Sequence, residues 1–325
     1  MKRLDYYWYT RSPWLVLLTP VSLVYRFAVW LRRLAYRCGL VRSHRLAVPV
    51  IVVGNITVGG TGKTPLVAWL AGYLQAKGYR PGIISRGYGG RARRWPQQVR
   101  PDSDPNMVGD EAVLLAGLTG CPMAVAPSRV AAARALIEHN DCNVIISDDG
   151  LQHYALQRDL EIVVIDGVRR FGTGFSLPAG PLREPVKRLQ EVDLVVVNGL
   201  GSGSEHPMRL KLGEVHNLKD RALTRALTGF RGQVVHAVAG IGNPERFFRA
   251  LQQADIQVLS HAFPDHHRFV PADIRFGDDK PVLMTGKDAV KCRHFASESD
   301  WYVPVKVELS AEFCAQLDAL LETRL

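Results

Sequence analysis

The sequence predicts an α/β protein: a mostly parallel sheet with helices on both faces, followed by a second, smaller α/β domain. Three observations carry this. Short apolar runs alternate with amphipathic stretches of helical spacing from residue 50 onward, the pattern of strands joined by crossover helices. Val50-Ile51-Val52-Val53-Gly54-Asn55-Ile56-Thr57-Val58-Gly59-Gly60-Thr61-Gly62-Lys63-Thr64-Pro65 reads as a buried strand, a glycine turn, Gly-Lys-Thr and a helix from Pro65 to Ala76. Asn143-Val144-Ile145-Ile146-Ser147-Asp148-Asp149 reads as a second buried strand that ends in acid.

The first of these runs is a phosphate-binding loop. Main-chain N–H groups cradle phosphate oxygens, Lys63 neutralises them, and the Thr64 hydroxyl holds Mg²⁺. The usual pattern G-x-x-x-x-G-K-[ST] has Gly where this chain has Thr57; the glycines stand at 59, 60 and 62, so the loop is a variant. Thr57, Val58, Gly59, Gly60, Thr61, Gly62, Lys63 and Thr64 are the expected phosphate contacts. Pro65 suits the first turn of the following helix, where a missing N–H costs nothing.

At 325 residues the chain is long enough for two cores, and 47% hydrophobic with 22% charged residues is ordinary globular composition. A formal charge of +10, from 41 Lys+Arg against 31 Asp+Glu, implies an anionic partner: nucleic acid, an acidic membrane or a phosphorylated substrate. No basic stripe interleaved with stacking aromatics, helix-turn-helix or zinc module supports nucleic acid. Cys38, Cys121, Cys142, Cys292 and Cys314 are scattered without metal-ligand spacing, which favours reduced thiols. There are no repeats and no low-complexity segments.

In chain order, Tyr6-Tyr7-Trp8-Tyr9-Thr10-Arg11 is polar and aromatic, and an apolar run follows from Trp14 to Leu31 with basic Arg32, Arg33, Arg37, Arg42 and Arg45 after it. Arg26 inside the run and a kink at Pro20 argue against a span. A helix lying in the membrane surface fits better, against the alternative of an amphipathic helix packed on the protein's own core. Pro81 to Ser85 is a strand that runs into a Gly/Arg turn, where Arg86 either contacts phosphate or sits in a basic loop. Val108 to Ala116 is a helix whose first turn carries Asp110 and Glu111; such acids also simply suit the helix dipole. Ser128 to His139 is an amphipathic helix. The acid-ended strand before Asp148 and Asp149, downstream of the loop, is the expected second nucleotide-binding element, its carboxylate holding Mg²⁺ directly or through water.

Strands at Glu161–Asp166 and Asp193–Asn198 follow, with a rigid loop at Pro178 to Pro185 and a helix at Val186–Gln190 between them. Residues 201–231 read as a linker with short strands. A second α/β unit begins near 232, with strands at Gln233 to Ile241, Ile256–Leu259, Pro281–Thr285 and Trp301–Val307. The expected division is therefore 1–45, 46–200, 201–231 and 232–325. Asp265-His266-His267 is open to three readings, metal ligands, a proton-handling pair or a polar surface turn. Thr285-Gly286-Lys287-Asp288 lacks the spacing of the guanine-reading N-K-x-D, which argues against a GTPase.

Taken together, these motifs resemble the tetraacyldisaccharide 4'-kinase (lipid A 4'-kinase) family. The matching residues are Gly54 to Pro65, Ser85-Arg86-Gly87-Tyr88-Gly89, Val108-Gly109-Asp110-Glu111, Asp148-Asp149-Gly150-Leu151-Gln152-His153, Pro178 to Glu184 and Phe263-Pro264-Asp265-His266-His267. The resemblance spans almost the whole chain. It implies a P-loop NTPase-like fold, a smaller α/β domain that completes the active-site cleft, and an N-terminal helix anchoring the enzyme at the cytoplasmic face of the bacterial inner membrane. The implied reaction is Mg²⁺-dependent transfer of the ATP γ-phosphate to the 4'-hydroxyl of an acylated glucosamine disaccharide 1-phosphate, a step of lipid A biosynthesis. Asp110 is then the base, assisted by His266, with Lys63 on the phosphates, Thr64 and Asp148 on Mg²⁺ and Asp149 close by. Glu111, Gln152 and His153 fall at the active-site edge. The implied partners are the lipid and the anionic membrane, with no nucleic acid and no obligate protein. One departure is Gly286, where the resemblance leads one to expect Glu. A membrane-surface ATPase of the partitioning type is the alternative, weakened by Val58 where those loops carry a signature Lys; a non-catalytic nucleotide-binding scaffold is weakened by the full set Lys63, Thr64, Asp148, Asp149 and Asp110.

Overall fold

The computed structural model describes residues 4–10, 13–220 and 222–325; Arg11, read above as part of the aromatic N-terminal segment, lies outside them. Two compact units emerge: residues 1–86, 121–209 and 309–325 in one, and 87–120 and 210–308 in the other.

In the first unit, seven consecutive strands run parallel, in the spatial order His206–Leu212, Leu194–Asn198, Leu160–Asp166, Val50–Gly54, Val144–Asp148, Pro81–Ser85 and Met123–Val125. Every residue of Val50–Gly54, Val144–Asp148 and Leu160–Asp166 is buried. That is why they read as unbroken apolar runs rather than as alternating ones: a parallel strand is covered on both faces. Val53 lies beside Asp148 in register, so the glycine loop and the acidic strand end leave the same carboxyl edge of the sheet, where α/β proteins place ligands. The C-terminal helix Ala311–Arg324 belongs to this unit. Phe313 packs edge-on against Trp69 at 5.8 Å, and Asp318 accepts from the Tyr73 hydroxyl at 2.8 Å, covering the helix Lys63–Ala76.

The second unit holds a six-stranded sheet ordered Thr224–Arg225, Val215–Asn217, Asp300–Val303, Val282–Thr285, Val234–Ala239 and Gln257–Ala262. Its last four strands are parallel and the other two pairings antiparallel. Phe230, Val235, Phe248, Leu251 and Leu283 fill its core.

This division differs from the expected bounds in two respects. Residues 201–231, expected as a linker with short strands, do carry short strands, but these join the sheets: His206–Leu212 extends the first while Val215–Asn217 and Thr224–Arg225 edge the second. Residues 87–120 cluster with the later part of the chain and 309–325 with the earlier part.

At the N-terminus a 3₁₀ turn, Pro13–Leu18, leads into the helix Thr19–Arg37. Pro20 was expected to kink this run; it sits instead in the helix's first turn, where proline fits. Ser22, Tyr25, Arg33 and Tyr36 share one face at 100° per residue and dock onto the first unit. The Ser22 hydroxyl donates to the Ser176 carbonyl (2.7 Å) and accepts from the Ala179 amide (2.9 Å), Tyr25 donates to the Arg183 carbonyl, Arg33 pairs with Glu191, and Tyr36 lies against Tyr154. The opposite face carries Leu23, Phe27, Trp30 and Leu31, each at least half exposed, and Trp14 before it is 73% exposed. By length and composition the stretch Pro13–Arg37 is apolar enough to cross a membrane.

Candidate active site

The phosphate loop is shaped by two left-handed glycines, Gly59 (φ 108°) and Gly62 (φ 98°). A Cβ at Gly62 would stand 2.7 Å from the Asn198 amide nitrogen, so that position needs glycine for space as well as for backbone. Thr57 is not in the left-handed region. It is buried and bridges antiparallel to Leu182, which is why the loop dispenses with glycine there. Asn198, at the end of its strand, donates to the Thr61 carbonyl at 3.1 Å and steadies the turn from beneath.

Not every expected phosphate contact is open. The Val58 N–H donates to the Pro181 carbonyl at 2.8 Å, so it is committed to holding the loop. The helix Lys63–Ala76 starts from Gly62 with no side chain capping it. Its first amides and the Lys63 ammonium thus present an uncapped positive end, a setting suited to an anion.

Lys63 lies 3.4 Å from Asp149, whose carboxylate also takes two bonds of 3.0 Å from one Arg183 nitrogen. Burial would raise the Asp149 pKa, but Lys63 and Arg183 outweigh it and hold the group down at about 2. Asp148, 2% exposed at the end of its strand, points from the register position beside Val53. Arg129, also buried, donates to the Asp149 carbonyl at 2.7 Å. Gln152 ties the loop's first residue to the scaffold, donating to the Asn55 carbonyl (3.0 Å) and to Glu184 (2.8 Å). Burial and four surrounding arginines, Arg129 foremost, push the His153 pKa down to about 4, so this imidazole is neutral. Arg86 follows Ser85 and is exposed.

In the second unit Asp110 is brought together with one of the two histidines of Asp265-His266-His267. Asp110, at the first turn of Asp110–Thr119 and 6% exposed, receives His266 Nδ1 at 3.1 and 3.2 Å. His266 is held in a left-handed conformation (φ 59°), unusual for a side chain of this size, in the turn that aims its ring. Burial opposes the Asp110 charge, yet the bond from His266 and the charge of Lys287 bring its pKa below the usual value. The same bond raises the His266 pKa above 6.5 against burial and Lys287. Lys287 Nζ donates at 3.0 Å to Glu111 and to Asp265, and lies 3.4 Å from His266 Nε2. The next imidazole, His267, turns away to Asp273 at 2.9 Å. Among the described residues no cluster of His, Cys, Asp and Glu has the spacing of a protein-only metal cage.

The profile of the Tetraacyldisaccharide-1-P 4'-kinase family matches residues 14–322. The chain belongs to this family. A tetraacyldisaccharide 4'-kinase from Nitrosococcus oceani is 58% identical over 97% of this chain and 93% of its own length, and one from Alkalilimnicola ehrlichii is 51% identical over 99% and 97%. The crystal structure of LpxK from Aquifex aeolicus in complex with ATP superposes with a TM-score of 0.80 at 28% identity, covering 95% of this chain and 98% of that one. The match does not favour the partitioning-ATPase alternative. In this member of the tetraacyldisaccharide 4'-kinase family, sequence reasoning overlooked Arg129, Asn198 and Lys287. Asn198 and Lys287 each stood inside a recognised strand or motif, whereas nothing in the sequence marked Arg129, whose burial shows only in the fold. The absence of Glu at 286 is accommodated: Asp110, Glu111 and Asp265 already surround Lys287, and a Cβ at Gly286 would stand 3.3 Å from Leu114.

Proposed function

We propose that this chain transfers the γ-phosphoryl group of ATP to the 4'-hydroxyl of a tetraacylated glucosamine disaccharide 1-phosphate in lipid A biosynthesis. The observation that carries the reading is the carboxylate–imidazole pair Asp110–His266, made by a chain that also carries the Gly62-Lys63-Thr64 loop. A sugar hydroxyl is a poor nucleophile and needs a base to take its proton, whereas simple ATP hydrolysis does not call for one dedicated to an alcohol. In the step proposed, the hydroxyl oxygen bonds to the γ-phosphorus, the bond from that phosphorus to the ADP oxygen breaks with its electron pair leaving on ADP, and the hydroxyl proton passes to Asp110.

Lys63 and the uncapped helix end hold the phosphates, with Gly59 to Thr64 as the cradle and Arg86 as a further phosphate contact. Arg183 and Arg129 keep the acidic strand end in place. Thr64 and Asp148 are the residues assigned to Mg²⁺, with Asp149 next to them directly or through water. A hydroxyl and a carboxylate suit this ion, which keeps several waters and needs no all-protein cage. When bound, Mg²⁺ neutralises charge developing on the phosphate oxygens. Glu111, Gln152 and His153 are assigned to the edge of the site, and most of the rate comes from positioning.

The N-terminal helix fits the surface of an anionic membrane, and we place the protein at the cytoplasmic face of the inner membrane. Its docked face runs from Ser22 to Tyr36, roughly 21 Å of helix, so a spanning arrangement would have to strip these contacts away. Arg26 and Arg37 border the apolar face, where headgroups lie. The test is transfer of label from γ-labelled ATP to the lipid disaccharide by the purified protein in mixed micelles, with Mg²⁺ and with chelator. Labelled lipid that vanishes with chelator is expected. ATP hydrolysis at one rate with and without the acceptor, and no label in lipid, would overturn the reading.

A further inference from the structure

A carboxylate–imidazole pair works as a base only if the ring's proton is on the right nitrogen, and the contacts around His266 bear directly on that. The groups that face its ring are Asp110 and, behind it, Glu111, from the helix Asp110–Thr119; Lys287 and Lys291 from the helix Gly286–Cys292; Asp265 in its own turn; and the ring of Tyr88, 5.1 Å away. Nδ1 meets the carboxylate of Asp110. Nε2 meets the ammonium of Lys287 at 3.4 Å, with the Asp265 carboxylate farther off at 3.9 Å.

We propose that Lys287 is a positioning residue that fixes the proton of His266 on Nδ1 and thereby makes the Asp110 carboxylate, not the imidazole, the atom group that receives the substrate proton. The inference rests on the kinase reading above and deepens it. An ammonium has only protons to offer, so at 3.4 Å it meets a bare lone pair on Nε2 or a repulsive N–H. A bare Nε2 leaves the neutral ring its proton on Nδ1, where it donates to Asp110. The opposite tautomer is penalised twice, with an N–H facing an ammonium and a lone pair facing a carboxylate.

Lys287 is well placed to impose this because it is itself immobilised. Its side chain is 14% exposed and spans from Glu111 to Asp265. Burial works against its charge, but Glu111, Asp110 and Asp265 hold the ammonium well above its ordinary pKa, so it remains a cation through the physiological range. The same cation opposes protonation of the ring, while Asp110 favours it. When the ring does become imidazolium, the carboxylate beside it is a poorer proton acceptor. The rate must therefore fall as pH drops through the His266 pKa, which lies above 6.5. Removing the cation must move that limb to still higher pH.

The experiment is histidine-selective ¹⁵N labelling of the full chain, with K287M, K287R and wild type titrated side by side and H266Q used to assign the ring. Wild-type His266, when neutral, is expected to show a protonated Nδ1 and a bare Nε2. In K287M its midpoint is expected to rise by about one pH unit, with K287R near wild type, and the acid limb of kcat/KM should follow the same order. A wild-type ring protonated on Nε2, or a midpoint that does not move in folded K287M, overturns the proposal. If K287M does not fold, the wild-type tautomer and the K287R titration still decide. The ring is read without substrate, so a negative phosphoryl-transfer assay would sink the kinase reading while leaving this result standing, and the reverse holds equally.

Discussion

Asp110 has an ordinary reason to sit where it does, and its surroundings go beyond that reason. An acid in the first turn of a helix answers the helix dipole, and one Asp110 oxygen does accept from the Glu111 amide at 2.9 Å. A dipole alone, however, does not need the carboxylate sealed at 6% exposure with an imidazole across both oxygens. The expected consequence is that D110A lowers kcat by roughly 10²–10⁴-fold while ATP affinity, measured by calorimetry or a fluorescent analogue, stays within a few-fold of wild type. Turnover near normal would remove Asp110 from the chemistry. Much of the site was legible residue by residue. Gly-Lys-Thr after an apolar strand states its chemistry through spacing alone, as does an acid-ended strand. Lys287 and Arg129 were not legible, because their roles depend on what lies opposite them in space: Lys287 is 22 residues from Asp265 and 176 from Glu111. Val58 illustrates the converse. Its place in the motif suggested a phosphate contact, yet its amide is spent on Pro181.

Among the elements, the helix Thr19–Arg37 is the one whose two faces do different work. One is stitched to the protein by Ser22, Tyr25, Arg33 and Tyr36; the other presents Leu23, Phe27, Trp30 and Leu31 to the surroundings. Exposed apolar area on that scale has little effect on the fold's stability and a large one on partition into lipid. The double variant F27E/W30E is therefore expected to lose flotation with anionic phospholipid vesicles while its melting temperature stays close to wild type. Retained flotation would assign membrane contact to another surface. This element's existence was readable from its apolar run and flanking arginines. Its orientation was not, since Pro20 looked like a kink until the helix proved to start at Thr19. A proline's meaning depends on where the first turn falls, and apolarity does not report that. In the strands the reverse held: continuous runs such as Val50 to Val53 and Ile162 to Ile165 leave little choice but burial on both faces.

At the scale of the molecule, neither compact unit is one continuous piece of chain; the path changes unit at 86/87, 120/121, 209/210 and 308/309. Sequence order had suggested a self-contained piece at 232–325. That piece lacks Val215–Asn217, which pairs with Asp300–Val303, as well as Phe230, which is fully buried in the second core. A fragment of residues 232–325 is expected to be unfolded by circular dichroism and to show collapsed amide dispersion. A cooperative melt in that fragment would make it a domain after all. Such returns of the chain are invisible to local pattern, because no periodicity announces that a segment will cross back.

The last helix, Ala311–Arg324, has a consequence for how the protein is made. Phe313, Leu317 and Leu321 are buried in the first unit, and Trp69 and Tyr73, roughly two and three turns into the helix that begins at Lys63, meet Phe313 and Asp318. These partners lie about 245 residues apart along the chain, so the helix that begins at Lys63 is made long before Ala311–Arg324. During synthesis the phosphate loop's supporting helix therefore waits, with an aromatic face uncovered, until residues 311–324 have been made. Completion of the nucleotide-holding half is tied to synthesis of this helix, and a polypeptide stopped before residue 311 emerges with that face bare.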